Sequence, residues 1–301
     1  MDNVKLICYN ACGAVVYAGV PEDFRLRRDE DAPADSLEVT LPELLATPVH
    51  RVRLVVNGQV FFEGPVDEQN RTATAEKRET ELVCRSYEAI LLDNQAVAGT
   101  VRQPSRGVIE YWQLRPLGLT CTGGSGAVCG GEYTVAFGQS VYRALEGFAR
   151  AFGQGTPWMP DRHTVCFSPR EATHWVLPEV IAATRFCRPV ERISCVAVQN
   201  PVNGCYSAVT ENRPAVEAGV VRRRFLKAGA AVSAREQIAA GEKAYTYMQL
   251  TLPRALCIRP GDTVDACLRP LGLEDLHKAR VTSVWCTGAA SGCQTRLQVE
   301  G

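Results

Sequence analysis

Leu37-Glu38-Val39-Thr40-Leu41-Pro42, near the start of the chain, is matched near its end by Met248-Gln249-Leu250-Thr251-Leu252-Pro253. Apolar and polar residues alternate in both stretches, which predicts a strand with one buried face. The closing proline has no backbone N–H to donate, so it marks the end of the strand. The two stretches therefore predict the same strand in two similar β domains.

A later hairpin supports the same duplication. Val66 lies 16 residues before Leu82, and Val281 lies 16 residues before Leu297. Each hairpin ends in Thr-x-Leu. A one-residue slip would turn every apolar side chain of a strand outward, so equal spacing with equal polarity indicates two copies of one small barrel. The alternative is that unrelated antiparallel domains share this pattern.

The sequence pattern divides the chain into three parts. Short alternating segments and an Asn57-Gly58 hairpin turn predict a first antiparallel β-barrel over residues 1–95. Residues 96–184 mix strand and helix patterns, with the clearest helix at residues 140–152, and predict an α+β middle domain. Strand patterns return over residues 185–301 and predict the second barrel. We therefore expect a mainly β protein in which two similar small antiparallel β-barrels flank an α+β domain.

Composition excludes several classes of function. Lys plus Arg and Asp plus Glu both total 33, so no net charge draws the chain to nucleic acid or to an anionic membrane. The acidic N-terminus and the lack of a long apolar run predict neither a secretory signal nor a membrane anchor. We therefore expect the protein in the cytoplasm, with its 13 cysteines reduced and acting as small buried hydrophobes.

Residues with catalytic or ligand-binding chemistry are sparse. His163 and Cys166 are close in sequence, but residues three apart on a strand face opposite sides, so we do not predict a thiol nucleophile. The glycine-rich segment 123–131 lacks the Lys-Ser/Thr of a phosphate-binding loop and is expected to be an insertion. Arg222-Arg223-Arg224 is expected to be a solvated strand or an interface patch. No catalytic, metal or cofactor site is predicted.

A family resemblance rests on motifs that occur in matching order along nearly the whole chain. They are Asn57-Gly58-Gln59-Val60-Phe61-Phe62-Glu63-Gly64-Pro65-Val66-Asp67-Glu68, Glu81-Leu82-Val83-Cys84-Arg85-Ser86, Ala89-Ile90-Leu91-Leu92-Asp93-Asn94, the helix from Val141 to Phe152, the segment from Asn200 to Tyr206, and Gly261-Asp262-x-Val264. With these motifs the chain resembles the baseplate hub proteins of contractile phage tails, PBSX-like prophages and R-type bacteriocins.

This resemblance implies a structural subunit with two tail-tube-like barrels. It implies a homotrimer whose six barrels form a pseudo-sixfold ring between the hexameric tail tube and the trimeric spike, in contact with other baseplate and tail assembly proteins. Such a subunit would be made in the bacterial cytoplasm and would end in the baseplate of a phage tail or bacteriocin particle. Repeated, equivalent interfaces are what a closed ring requires.

Assembly would use strand edges and apolar contacts. We expect edge strands near Leu37 and Met248 and an exposed Phe61 beside an inward Phe62. The interface candidates are Leu37, Val39, Phe61, Phe62, Met248 and Leu250. The runner-up hypothesis is a peptidoglycan-degrading tail enzyme acting through the middle domain. A carbohydrate-binding protein is a third, which the scattered tryptophans do not favour.

Overall fold

The computed structural model describes residues 2–230, 232–289 and 292–300. The chain divides into two compact units. The first comprises Met1–Thr173, Pro253–Gly261 and Ser283–Thr295, and the second comprises His174–Leu252, Asp262–Thr282 and Arg296–Gly301. Two short stretches from the end of the chain thus belong to the first unit. The boundaries predicted at residues 95 and 184 divide the chain more finely and stay a prediction.

The strands are mostly short and antiparallel. In chain order they are β1 (Val4–Tyr9), β2 (Val15–Gly19), β3 (Asp23–Asp29), β4 (Ser36–Leu41), β5 (Arg51–Val56), β6 (Gln59–Ala73), β7 (Arg78–Arg85), β8 (Gly99–Arg102), β9 (Thr120–Thr122), β10 (Glu132–Val135), β11 (Trp158–Asp161), β12 (Thr164–Cys166), β13 (His174–Val176), β14 (Ala182–Cys187), β15 (Cys195–Val198), β16 (Ala208–Glu211), β17 (Arg223–Leu226), β18 (Thr246–Leu252), β19 (Thr263–Ala266), β20 (Leu276–Ala289) and β21 (Gly292–Glu300).

The helices are fewer. They are α1 (Ala89–Asp93), α2 (Arg106–Ile109), α3 (Val141–Ala151), α4 (Arg213–Glu217) and α5 (Ala234–Tyr245), with a π-helix at Glu110–Leu114 and 3₁₀ turns at Arg115–Leu117, Pro189–Glu191 and Arg269–Leu271.

The main sheet of the first unit has the strand order β20-β3-β4-β7-β6-β5-β1-β2, which β20 enters through residues 283–289. β6 is long enough to serve two neighbours. Its first half pairs with β5 and its second half pairs with β7, and a register shift between Val66 and Glu68 separates the halves. Asn57 and Gly58 both have positive φ, as the predicted turn between β5 and β6 requires.

Alternating side chains of this sheet form its core. The core includes Leu6, Phe24, Leu26, Leu37, Val39, Leu54, Phe62, Leu82, Cys84 and Cys286. A second core in the same unit gathers α1, the π-helix and α3, and Phe148 of α3 packs edge-on against Phe167. The Ser140 hydroxyl caps α3 by accepting from the Arg143 N–H, and Gly153 follows the helix with φ 64°, so the helix predicted there is confirmed.

The second unit contains three strand groups. β14, β18 and β21 are neighbours in that order, and β19 pairs with both β13 and residues 276–280 of β20. A separate sheet has the order β16-β15-β17 and packs through Val196 against Ala234 and Ile238 of α5. A capping box between Ser233 and Glu236 begins α5. The predicted fold class, mainly β with an α+β middle segment, is confirmed.

Candidate assembly surface

All six predicted interface residues are buried within the chain. Leu37 and Val39 lie on β4, Phe61 and Phe62 on β6, and Met248 and Leu250 on β18, and none is more than 4% exposed. The structure gathers the first four in one core. It places the last two on a strand of the second unit.

The expectation that β4 and β18 are edge strands is wrong. β4 pairs with β3 on one side and with β7 on the other, and β18 lies between β14 and β21. Interior strands have no free backbone groups to offer a second copy. Any strand pairing between copies must therefore use other residues.

The expectation that Phe61 is exposed is also wrong, for a local reason. Leu54 pairs with Phe62 and Val55 pairs with Val60, so Phe61 is the extra residue of a β-bulge. A bulge breaks the alternation of faces, and both phenylalanines turn into the core. A charged residue at position 61 would therefore disrupt folding rather than report on assembly.

The strand sets of the two halves correspond. β3, β4, β7 and β6 are neighbours in that order, and so are β14, β18, β21 and β20. β5 pairs with β6 as β19 pairs with β20. β4 and β18 are the two strands whose sequences match, and β6-β7 and β20-β21 are the two hairpins of equal spacing. The strand order therefore supports the duplication inferred from the sequence.

Two buried threonines make the same pair of hydrogen bonds in the two sets. The Thr80 hydroxyl donates to the Glu43 carbonyl at 2.8 Å and accepts from the Leu45 N–H at 2.9 Å. The Thr295 hydroxyl donates to the Arg254 carbonyl at 2.8 Å and accepts from the Leu256 N–H at 3.1 Å. Each threonine thus holds the loop that follows the matched strand and proline. This atomic repetition is stronger support for duplication than a shared polarity pattern.

The first strands of the two sets also correspond. The Glu22 N–H donates to the Thr40 carbonyl at 2.8 Å, and the Ile181 N–H donates to the Thr251 carbonyl at 2.9 Å. Thr40 and Thr251 occupy the same position in the matched sequences. β3 and β14 therefore begin at equivalent points beside β4 and β18.

One strand pairing within the first unit joins the end of the chain to its beginning. Residues 283–289 of β20 pair antiparallel with β3, from Ser283 opposite Asp29 to Ala289 opposite Asp23. The ring of Phe24 lies against the backbone of Gly288, where a Cβ would come within 2.1 Å of it. The joint is therefore closely packed.

A buried cation stabilises the same joint. Arg28 of β3 is 2% exposed, and its guanidinium donates to the Asp35 carboxylate, to the Ile258 carbonyl and to the Phe61 carbonyl. Burial works against the charged form, but the Asp35 carboxylate favours it, and the pKa of Arg28 stays raised. Arg28 thereby links β3 to the segment 253–261 within the first unit.

Two of the open strand edges in the described part of the chain belong to the repeated strand sets. The second half of β6, residues 67–73, has β7 as its partner, and β14 has β18. Most side chains along both edges are exposed. Such edges offer unpaired N–H and C=O groups to another strand.

The cysteines differ widely in exposure. All 13 lie in the described residues and are free, five of them buried and four exposed, so the prediction of buried cysteines is right for part of the set only. Burial and the Glu110 carboxylate raise the pKa of Cys121 to about 12, which keeps it protonated. The Cys166 thiol faces the Ser168 carbonyl, and the His163 ring accepts from Arg162.

Other motifs singled out in the sequence have structural surroundings. The Gly124 N–H donates to the Ser168 hydroxyl and the Ser125 N–H to Gln154, which attaches the start of the glycine-rich segment to the first unit. Arg222 pairs with Glu191. Over residues 2–230, 232–289 and 292–300, no group of three metal-ligating side chains occurs, and no helix is long and apolar enough to cross a membrane.

Sequence reasoning missed β3 and β14 and the roles of Thr80, Thr295 and Arg28. The repeated Thr-x-Leu motif contained the signal for the two threonines, since its threonine is inward-facing and polar in both copies. Nothing in the local sequence indicates that Arg28 lies in a core.

Comparison with known proteins gives a match in fold alone. No protein-family model matches the sequence. No curated protein matches it either. A tail protein from Neisseria meningitidis is 16% identical, with a TM-score of 0.69 over 100% of this chain and 96% of that one. The 43 kDa tail protein of prophage MuSo2 from Shewanella oneidensis is 15% identical, with a TM-score of 0.75 over 99% and 98%.

A third solved structure extends the likeness to a secretion system. It is an E. coli component of the type VI secretion system that is described as structurally similar to the T4 phage tail proteins gp27 and gp5. This protein is 9% identical, with a TM-score of 0.55 over 99% of this chain and 74% of that one. The chain therefore has the fold of phage tail proteins, as the sequence resemblance leads one to expect.

Proposed function

We propose that this protein is a structural hub subunit of a contractile phage tail or a related injection particle. Three copies would form a ring that presents six near-equivalent β units, with the hexameric tail tube on one side and the trimeric spike on the other. The role is one of assembly rather than of catalysis. The protein would be made in the bacterial cytoplasm and then become part of the baseplate.

The observation that carries this proposal is the repeated strand set with its two equivalent threonines. A chain that contains the same unit twice can match sixfold symmetry with three copies, because each copy supplies two of the six faces. The full-length likeness to two tail proteins supports the same class of role. The likeness to a secretion-system component that is structurally similar to the phage tail proteins gp27 and gp5 supports a place in a tail-like injection particle.

The proposed division of labour follows the three parts predicted from the sequence. Residues 1–95 and 185–301 would supply the repeated β units. Of residues 185–301, the stretches 253–261 and 283–295 belong to the first compact unit. Residues 96–184 would form a middle domain, and the hydrophobic core around Phe148, to which α1 also contributes, supports this.

The direct test is the mass and shape of the purified protein. Sedimentation velocity should give a species of three times 32.8 kDa, and negative-stain images should show a ring with a central opening. A monomer at all concentrations, with or without the tube and spike proteins of the same particle, would contradict the proposal. Incubation with purified peptidoglycan separates this role from that of a tail hydrolase, and we expect no release of soluble fragments.

A further inference from the structure

We propose that neighbouring copies join by one specific strand pairing, in which residues 68–74, at the end of β6, run antiparallel to residues 182–188, which comprise β14 and the residue after it, in the next copy. Glu68 would lie opposite Arg188, and Thr72 opposite Thr184. This inference rests on the proposed function, because it names the contact that would close the ring. The partner is a second copy of this chain.

The argument starts from the joint that the chain already makes. β20 pairs with β3, with Thr287 opposite Arg25 and Ser283 opposite Asp29. In the repeated strand sets, β20 corresponds to β6, and β3 corresponds to β14. The edges of β6 and β14 thus correspond to the two strands of the β20–β3 joint, but within one chain they do not pair with each other.

Matched positions fix which residues meet. Thr80 corresponds to Thr295 because the two make equivalent hydrogen bonds, so Leu82 corresponds to Leu297. Because the two hairpins have equal spacing, Val66 of β6 then corresponds to Val281 of β20. The break in alternation also recurs, between Val66 and Glu68 in β6 and at Ser283 and Val284 in β20, where two successive residues are buried. Each residue of β6 therefore corresponds to the β20 residue whose number is higher by 215.

The other strand is fixed in the same way. Val39 and Leu250 correspond in the matched sequences, and they pair with Phe24 and Ala183 respectively. β14 numbers are therefore β3 numbers plus 159. Applied to the internal pair Thr287 and Arg25, the two relations put Thr72 opposite Thr184.

The resulting contacts can be judged one row at a time. Glu68 and Arg188 carry opposite charges, and Ala73 opposite Ala183 is small on both strands. Arg71 would lie opposite Arg185, and like charges directly opposite each other weaken a strand pair. Only this alignment places Arg71 directly opposite Arg185, so a charge change at either residue reports on the register.

The pairing is directional, and this decides the kind of assembly. A β6 edge on one copy meets a β14 edge on the next, so each copy uses two different surfaces. Head-to-tail contacts of this kind form closed rings when the rotation between copies closes.

Disulfide trapping tests the register. Thr72 and Thr184 are both exposed, so the double variant Thr72→Cys/Thr184→Cys should fold, and directly opposite residues of paired strands have the Cα separation a disulfide needs. Mild oxidation should give covalent dimers and trimers on a non-reducing gel. The single variants control for the native thiols, and Asn70→Cys/Thr184→Cys, two residues out of register, should remain uncrosslinked.

A charge series gives a second measurement that does not use thiols. Glu68→Arg and Arg188→Glu should each weaken an interface by roughly two- to fivefold, and the double swap should restore it. Arg185→Glu should strengthen assembly, since it places a carboxylate opposite Arg71. Circular dichroism of each variant checks that the fold is unchanged.

The outcomes separate this inference from the proposed function. A trimeric ring with register-specific crosslinks supports both. A trimeric ring that gives no Thr72–Thr184 crosslink and no response to Arg185→Glu overturns the pairing and leaves the hub role standing. A chain that remains monomeric overturns both.

Discussion

Thr80 and Thr295 give the sharpest test of whether the two strand sets are equivalent. Both are fully buried, and each hydroxyl donates to one backbone carbonyl and accepts from one backbone N–H. Replacement by valine keeps the shape of the side chain and removes both hydrogen bonds. Leu45 is 8% exposed, so water does not readily replace the acceptor that its N–H loses.

The expected cost follows from those contacts. A buried donor left without a partner costs about 1–3 kcal/mol, and Glu43 and Arg254 are exposed, so their carbonyls can turn to water. We therefore expect Thr80→Val to lower the free energy of unfolding by about 2 kcal/mol, and Thr295→Val by about 1–2 kcal/mol because Leu256 is only half-buried. Thr→Ser keeps the hydroxyl and loses one methyl, which costs about 1 kcal/mol.

Urea unfolding measures these differences. Assembly adds stability that depends on protein concentration, so the variants must be compared at one concentration below that at which the wild type associates. Hydrogen exchange adds local resolution, because the Leu45 and Leu256 amides should each lose protection only in the variant of their own threonine. If Thr80→Val costs about 2 kcal/mol and Thr295→Val costs nothing, the two threonines do not hold equivalent loops and the argument for duplication fails.

Four further outcomes are expected. Hydrogen bonds from Arg53 and Tyr87 outweigh burial and lower the pKa of Glu63, so Glu63→Gln should destabilise the fold near pH 7 and the difference from wild type should close as the pH falls below 4.5. Burial raises the pKa of Glu88, so the wild type becomes more stable as the pH falls and Glu88 takes up a proton. The free energy of unfolding of Glu88→Gln, measured by urea titration, should therefore rise relative to that of the wild type as the pH increases. Arg28→Met leaves two carbonyls without a donor and should cost about 3 kcal/mol in urea unfolding, whereas Arg27→Met, at a mostly exposed side chain, should cost under about 1. In timed labelling with a thiol reagent, buried cysteines whose pKa is raised should react only on unfolding and exposed ones at once: Cys8, Cys84 and Cys286 against Cys12, Cys187, Cys205 and Cys267.

Elements with strong local signals could be predicted from the sequence. Asn57-Gly58 requires positive φ, and Ser140 with Gly153 supplies both caps of α3, so turn and helix follow from local chemistry. The strands at residues 37–41 and 248–252 follow from strict alternation. In each case the residues that decide the structure lie within the element itself.

The interface candidates failed because their environment is not local. Alternation shows which residues of β4 face a core, but it does not show how many strands flank β4. Phe61 turns inward because of a bulge in the pairing of β6 with β5, which period-two counting over Val60 and Phe62 misassigns. Candidate surfaces chosen from apolar strands are therefore biased toward the core.

Two of the strands that sequence reasoning missed, β3 and β14, correspond to each other. β3 contains five charged residues in seven, and Arg28 occupies a core position that the Asp35 carboxylate and the distant carbonyls of Phe61 and Ile258 make tolerable. β14 has exposed side chains at most positions and one described partner strand, so packing within the chain places few constraints on its residue types. In the proposed ring each of these strands lies at a joint between β units. A strand whose partners come from far along the chain, or from another copy, is selected for that partner rather than for a local pattern.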